Sequence, residues 1–314
     1  MDKRFDTPSA PFTHSGASTQ RIMLDVIIAL LPATAAAVVL FGTPALVPIL
    51  SCVIAAVASE FLFNVITHRR QSVGDLSAVV TGLLLGLNLS TNVPVWQCVL
   101  GSVFAIVAVK CLFGGIGHNF ANPAITGRVF LLVSFSQVAG GAMPKGVDLV
   151  TSATPLELLA SGSEELPSLL DMFLGVRGGA VGETCVLALL IGLAYLLIRG
   201  VIRWQVPVIF IGSVFALYFI QTGDAVTALY QIMAGGLFLG AIFMATDYQT
   251  SPINTKGKVF FALGCGILTF VIREYCAYPE GVSLSILVMN ILAPVIEKWT
   301  AATPLGLGGP KNAE

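Results

Sequence analysis

Long apolar runs follow one another through most of this chain, many of them about the length a helix needs to cross a lipid bilayer. Of 314 residues, 56% are hydrophobic and only 11% are charged. A soluble domain carries about 25% charged residues. The solvent of this chain is therefore lipid. Backbone polar groups in hydrocarbon must be satisfied internally, which leaves helices or a closed barrel. The runs show no period-2 alternation, so the expected fold is an all-α polytopic membrane protein.

About ten spans are predicted, at 22–41, 45–66, 76–90, 95–113, 122–138, 183–198, 206–220, 228–245, 259–276 and 284–299. A spanning helix needs ~20 residues. The 76–90 run is short, and Asn88, Ser90 and Asn92 polarise its end, so a broken or partial span is expected there. Orientation follows from the basic residues. With the N-terminus inside, most Lys and Arg, Lys110 among them, fall on the cytoplasmic side, whereas Lys145 and Arg177 fall outside. Both termini are then cytoplasmic, and the acidic 139–182 loop is external.

The expected organisation is a cytoplasmic segment 1–21, a five-helix half 22–138, the external loop, a second five-helix half 183–299 and a tail 300–314. An odd number of spans per half makes any internal repeat inverted. The hexapeptide 81–86 and its echo 235–240 occupy matching places in the two halves. The same echo also arises by chance among Gly-rich apolar segments. No cleavable signal peptide is visible, and the run at 22–41 reads as a retained span.

Net charge is −1, which offers no electrostatic footprint for nucleic acid. Six cysteines are scattered in apolar surroundings without a CxxC pair, so no metal or iron–sulfur ligation is expected. No Walker A loop, HExxH, GxSxG or GxGxxG motif occurs, so no nucleotide-binding or hydrolytic motif is legible.

One polar island stands out in the external loop: Asp148-Leu149-Val150-Thr151-Ser152-Ala153-Thr154-Pro155-Leu156. Pro155 biases Thr154 toward extended backbone. Thr154, Pro155 and Glu157 also form the pattern of a capping box. A helix N-terminus with free N–H groups suits a phosphate as well as a hydroxyl cap, so a structural and a modified Thr154 are compatible. Asp148 either positions a metal or the hydroxyl during such a modification, or is a turn residue.

Three further blocks accompany it: Gly114-Gly115-Ile116-Gly117-His118-Asn119-Phe120-Ala121-Asn122-Pro123-Ala124; Phe243-Met244-Ala245-Thr246-Asp247-Tyr248-Gln249-Thr250-Ser251-Pro252; and Tyr278-Pro279-Glu280-Gly281 with Met289-Asn290. In this order and spacing they resemble the family shared by the D subunit of the Rnf complex and the B subunit of the sodium-pumping NADH:quinone reductase. Asp148, Thr151, Ser152, Ala153 and Thr154 are similar to its flavinylation motif; Ser152 stands where glycine is commoner. The resemblance covers nearly the whole chain.

It implies a membrane subunit of a prokaryotic complex that moves electrons between reduced ferredoxin and NAD, coupled to Na+ or H+ transport. It implies FMN esterified to Thr154 by a flavin transferase, and a second, non-covalent flavin (riboflavin or FMN) near Asn119 and Asn122. Other subunits of the complex are the implied partners, with ferredoxin and NAD reached indirectly.

At the residue level alternatives stay open. Asn119 and Asn122 either hydrogen-bond a flavin edge or cap the helix starting at Pro123. Arg128, within a span, needs a flavin or an acid as partner, or else snorkels to the cytoplasmic edge. Asp247 lines a flavin or ion site, or merely sits between two helices. Asp25, Glu60 and Asp75 are candidates for an ion path; Asp75 alternatively caps the short span. A transporter or channel without redox role, or a cofactor-free structural subunit, would share the same helical architecture.

Overall fold

A computed structural model describes residues 18–135, 141–144, 154–161, 166–276 and 280–301. Helices form in all ten apolar runs. In the first half these are α1 (Thr19–Phe41), α2 (Leu46–Ile66), α3 (Ser77–Leu87), α4 (Val95–Val103) and α5 (Pro123–Ser134). Two short helices follow, α6 (Pro155–Ala160) and α7 (Leu169–Leu174). The second half holds α8 (Val186–Ile198), α9 (Gln205–Thr222), α10 (Ala225–Met233), α11 (Leu237–Leu239), α12 (Thr255–Tyr275) and α13 (Val282–Thr300). Among the described residues, five helices are long and apolar enough to cross a membrane, or six if α10 and the helix after it count as one bent span.

The remaining apolar helices are short for identifiable reasons. α3 stops at Leu87 because the Asn88 side chain turns back onto the Leu84 carbonyl at 2.8 Å. The 228–245 run, expected as one span, is broken: α10 and Leu237–Met244 meet at 66°. Ala234 is extended there (ψ 147°) and Gly235 takes φ +66°, a conformation that glycine adopts without strain. α4 and α11 each continue into a widened turn with i→i+5 bonding, Phe104–Cys111 and Gly240–Met244.

Large apolar residues such as Leu31, Val39, Ile54 and Ile220 point outward, as lipid contact requires, while small residues let helices approach. Gly82 and Gly86 of α3 press on the α2 backbone: a Cβ on Gly82 would lie 2.6 Å from Val53 Cα, and one on Gly86 2.7 Å from Ile49 Cα. The carboxyl end of α3 is held from the other side. Gly182 donates its N–H to the Leu87 carbonyl at 2.7 Å, and Val181 donates to that of Leu89 at 2.9 Å. The six cysteines are unbridged.

Candidate functional site

Two polar centres lie at opposite ends of α3. At its carboxyl end, Thr154 is the N-cap of α6. Its Oγ1 accepts the Glu157 N–H at 3.4 Å and its own N–H donates to Glu157 Oε2 at 2.7 Å, so both halves of the expected capping box are present. A Cβ on Gly141 would lie 2.6 Å from Thr154 Cγ2 and 3.0 Å from the Gly179 nitrogen. Thr154 therefore rests on the two-hydrogen-bond bridge between Ala142 and Gly179. Asp148, Thr151, Ser152 and Ala153 lie outside the described residues.

Beneath this platform is a buried charged cluster. Arg128, 1% exposed, pairs with Glu280, so the partnered alternative for Arg128 is realised rather than the snorkelling one. Arg273 donates to the carbonyls of Gln231, Ala234 and Glu280, which ties it to the last turn of α10. Arg177, expected on the external side, is 1% exposed and donates to the Thr184 and Glu183 carbonyls.

At the amino end of α3 three distant sequence blocks meet. Asn122 caps α5, its Oδ1 accepting from Ala124 N at 3.0 Å and Ile125 N at 3.4 Å. Its own N–H donates to Asn290 Oδ1 at 3.1 Å, and its Nδ2 reaches Met244 O and Asp247 Oδ2, each at 3.5 Å. Asn290 in turn donates to the Thr250 carbonyl at 3.1 Å. Asn119 donates to Gln249 Oε1 at 3.2 Å, and its buried Oδ1 has no partner among the described residues. Burial pushes the Asp247 carboxyl up, against the Gln249 N–H and the Thr250 hydroxyl, which pull it down.

Part of this network lines a cleft. Asn119, Asn122, Asp247, Gln249, Thr81 and Lys110 supply its polar rim, and residues such as Val26, Leu84, Leu196 and Phe243 its apolar walls. An apolar slot with a few convergent polar groups is the usual form of a site for a flat cofactor. The unpartnered Asn119 Oδ1 accepts hydrogen bonds, which an imide N–H supplies. The residues present therefore fit a flavin ring.

The three acids suggested for an ion path do not converge. Asp25 accepts from Tyr195 at 2.9 Å and from Arg199 at 3.2 Å and 3.3 Å. Glu60 pairs with Lys110 at 2.8 Å. Asp75 accepts from Ser77 N at 2.8 Å, one residue ahead of the cap position at Leu76. Only Glu60 and Asp75 share a network, through Lys110 and Ser77. Lys110 was not expected at the site. The one sequence signal was its position four residues before Gly114.

Comparison with known proteins bears on these centres. A sequence model described as "NQR2, RnfD, RnfE family" matches residues 6–306. The chain is 46% identical to the D subunit of the Na(+)-translocating ferredoxin:NAD(+) oxidoreductase complex of Acetobacterium woodii, over 93% of this chain and 92% of that one. It is 41% identical to the D subunit of the proton-translocating ferredoxin:NAD(+) oxidoreductase complex of Clostridium ljungdahlii, over 96% of each chain. The D subunit of the ion-translocating oxidoreductase complex of Stutzerimonas stutzeri is 37% identical over 90% of each. This chain is a helical membrane protein of the family that NQR2, RnfD and RnfE define.

Proposed function

We propose that this chain is the flavin-carrying membrane subunit of a prokaryotic ion-translocating complex, which passes electrons between reduced ferredoxin and NAD and couples them to Na+ or H+ movement. The observation that carries this reading is one hydrogen-bond network joining Asn122, Asp247, Thr250 and Asn290, from three separate sequence blocks, of which Asn122 and Asp247 line the cleft. Near end-to-end similarity to subunits named for ferredoxin:NAD(+) oxidoreduction with Na+ or proton translocation supports it.

In this reading FMN is esterified to Thr154 by a flavin transferase that recognises Asp148, Thr151, Ser152 and Ala153. A second flavin, riboflavin or FMN, sits without a covalent bond in the cleft. Bound flavin supplies one- and two-electron redox chemistry. The residues of the chain supply position: Asn119 and Asn122 meet the ring edge, Phe243 and its neighbours exclude water, and Glu157 keeps Thr154 in its capped geometry. Ferredoxin and NAD bind other subunits of the complex. The chain crosses the cytoplasmic membrane ten times in two inverted halves, with α3 and α11 as the paired short elements, both termini inside and Thr154 outside.

A second reading, a permeation protein without redox role, draws on the same two short helices. Flavin separates the two. The denatured chain from purified, fully assembled complex is expected to fluoresce as a flavin-bearing band on a gel. The peptide containing Thr154 is expected to carry the mass of FMN, and Thr154→Ala to abolish both signals. A dark wild-type band from cells that contain the transferase would hand the case to the permeation reading.

A further inference from the structure

Lys110 is 2% exposed, yet it lines the cleft. Lysine is almost never fully buried unless paired. Its ammonium meets Glu60 Oε1 at 2.8 Å and Ser77 Oγ at 2.5 Å. An ammonium has three N–H donors, and these partners take two. The third is left for the cleft.

The position of this ammonium is fixed from behind. Ser77 Oγ accepts from Lys110 and donates to Asp75, whose carboxylate also takes the Ser77 N–H. Glu60 accepts from the Ser72 hydroxyl at 2.5 Å, and Ser72 is held by Asn64 at 3.0 Å. The Lys110 backbone closes the widened turn of α4, its carbonyl accepting from Gly115 N at 2.9 Å. Such turns recur at functional sites. Lys110 therefore stands at the base of the glycine loop that carries Asn119.

Charge in the cleft has a direction. Neither Glu60 nor Asp75 lines it, whereas Lys110 does. Asp247 lines it too, but its carboxyl is within reach of Asn122 and Thr250. On the Lys110 side the cleft thus faces the positive end of a buried ion pair, and on the opposite side the hydrogen-bonded carboxyl of Asp247.

We propose that Lys110 is a fixed cationic donor that binds the electron-rich, carbonyl-bearing edge of the ring in the cleft and favours its reduced, negatively charged form. This rests on the reading that the cleft holds a non-covalent flavin. Lys110 is then a binding residue for that flavin, and Glu60, Ser77 and Asp75 are positioning residues.

The test uses the purified complex. Lys110→Met alone would strand Glu60, so the informative variant is Lys110→Met with Glu60→Gln, compared with Lys110→Arg. The cleft flavin is identified as the one lost in Thr81→Phe, which fills the cleft. Spectroelectrochemical titration of that flavin is expected to show about tenfold weaker preference for the reduced ring in the double variant. For a two-electron couple that is a midpoint about 30 mV lower. Lys110→Arg should stay within a third of that shift. An unchanged midpoint in the double variant overturns the role of Lys110. An equal loss in the double variant and in Lys110→Arg overturns it too, since a charge in place should rescue. If Thr81→Phe assembles and loses no flavin, the cleft reading itself falls, whatever Lys110 does.

Discussion

Two charges inside this protein have partners that no local pattern would pair. Arg128 and Glu280 are 152 residues apart, and Lys110 and Glu60 are 50 apart. Breaking a buried pair leaves one ion stranded, at a cost of roughly 3–5 kcal/mol, whereas replacing both partners with apolar groups is often near neutral. Glu280→Leu is therefore expected to lower the thermal stability of the complex sharply, and Glu280→Leu combined with Arg128→Met to restore much of it. A differential scanning fluorimetry cycle reads the difference; additive losses would show that the pair does not act as one. At Thr154 the cap and the attachment site share an oxygen. Glu157→Ala removes the reciprocal half of the capping box and should cost about 1 kcal/mol of local order. It should leave some FMN on the Thr154 peptide, whereas Thr154→Ala leaves none; mass spectrometry of that peptide separates the two.

Among the elements, α3 fits closely against the backbone of α2. A methyl group at Gly86 would meet the α2 backbone, whereas one at Gly212 of α9 would meet nothing within 4 Å. Gly86→Ala should destabilise by about 1–3 kcal/mol, the usual size of an overpacking strain. Gly212→Ala should be neutral or slightly stabilising, because alanine is the better helix former. Equal melting temperatures for these two variants would contradict the close contact of α3 with α2. Helix caps were legible in the sequence because they are local: Asn122 before Pro123 and Thr154 before Pro155 announce themselves within four residues. The break at Gly235 was not, since hydropathy averaged over a window sees only an apolar run. The pairing of Lys110 was equally hidden. A lysine beside a glycine loop reads as a flanking charge until the fold brings Glu60 to it. The burial of Arg177 was hidden for the same reason, since a loop residue in sequence is a buried one in space.

Across the whole molecule, α3 runs about 16 Å, its eleven residues at 1.5 Å each, from Ser77 at the cleft to the carboxyl end beyond which Thr154 lies. Sites more than 7–10 Å apart without shared partners behave nearly independently. Thr154→Ala is thus expected to leave the non-covalent flavin content of the complex unchanged, and Thr81→Phe to leave FMN on Thr154. Acid extraction followed by chromatography gives both stoichiometries, and loss of both flavins from either variant would refute the independence. The helical membrane class was readable from composition alone, because lipid permits so few backbone solutions. The meeting of three sequence blocks in one hydrogen-bond network was not, because it depends on helix register.

The amide of Gly182 closes α3 at one end, and the hydroxyl of Ser77 begins it at the other. A helix is a stiff rod along its axis. The segment that bears Thr154's support and the ammonium of Lys110 are therefore fastened to the same beam. A push on either fitting arrives at the other as a change of place, even where occupancy stays the same.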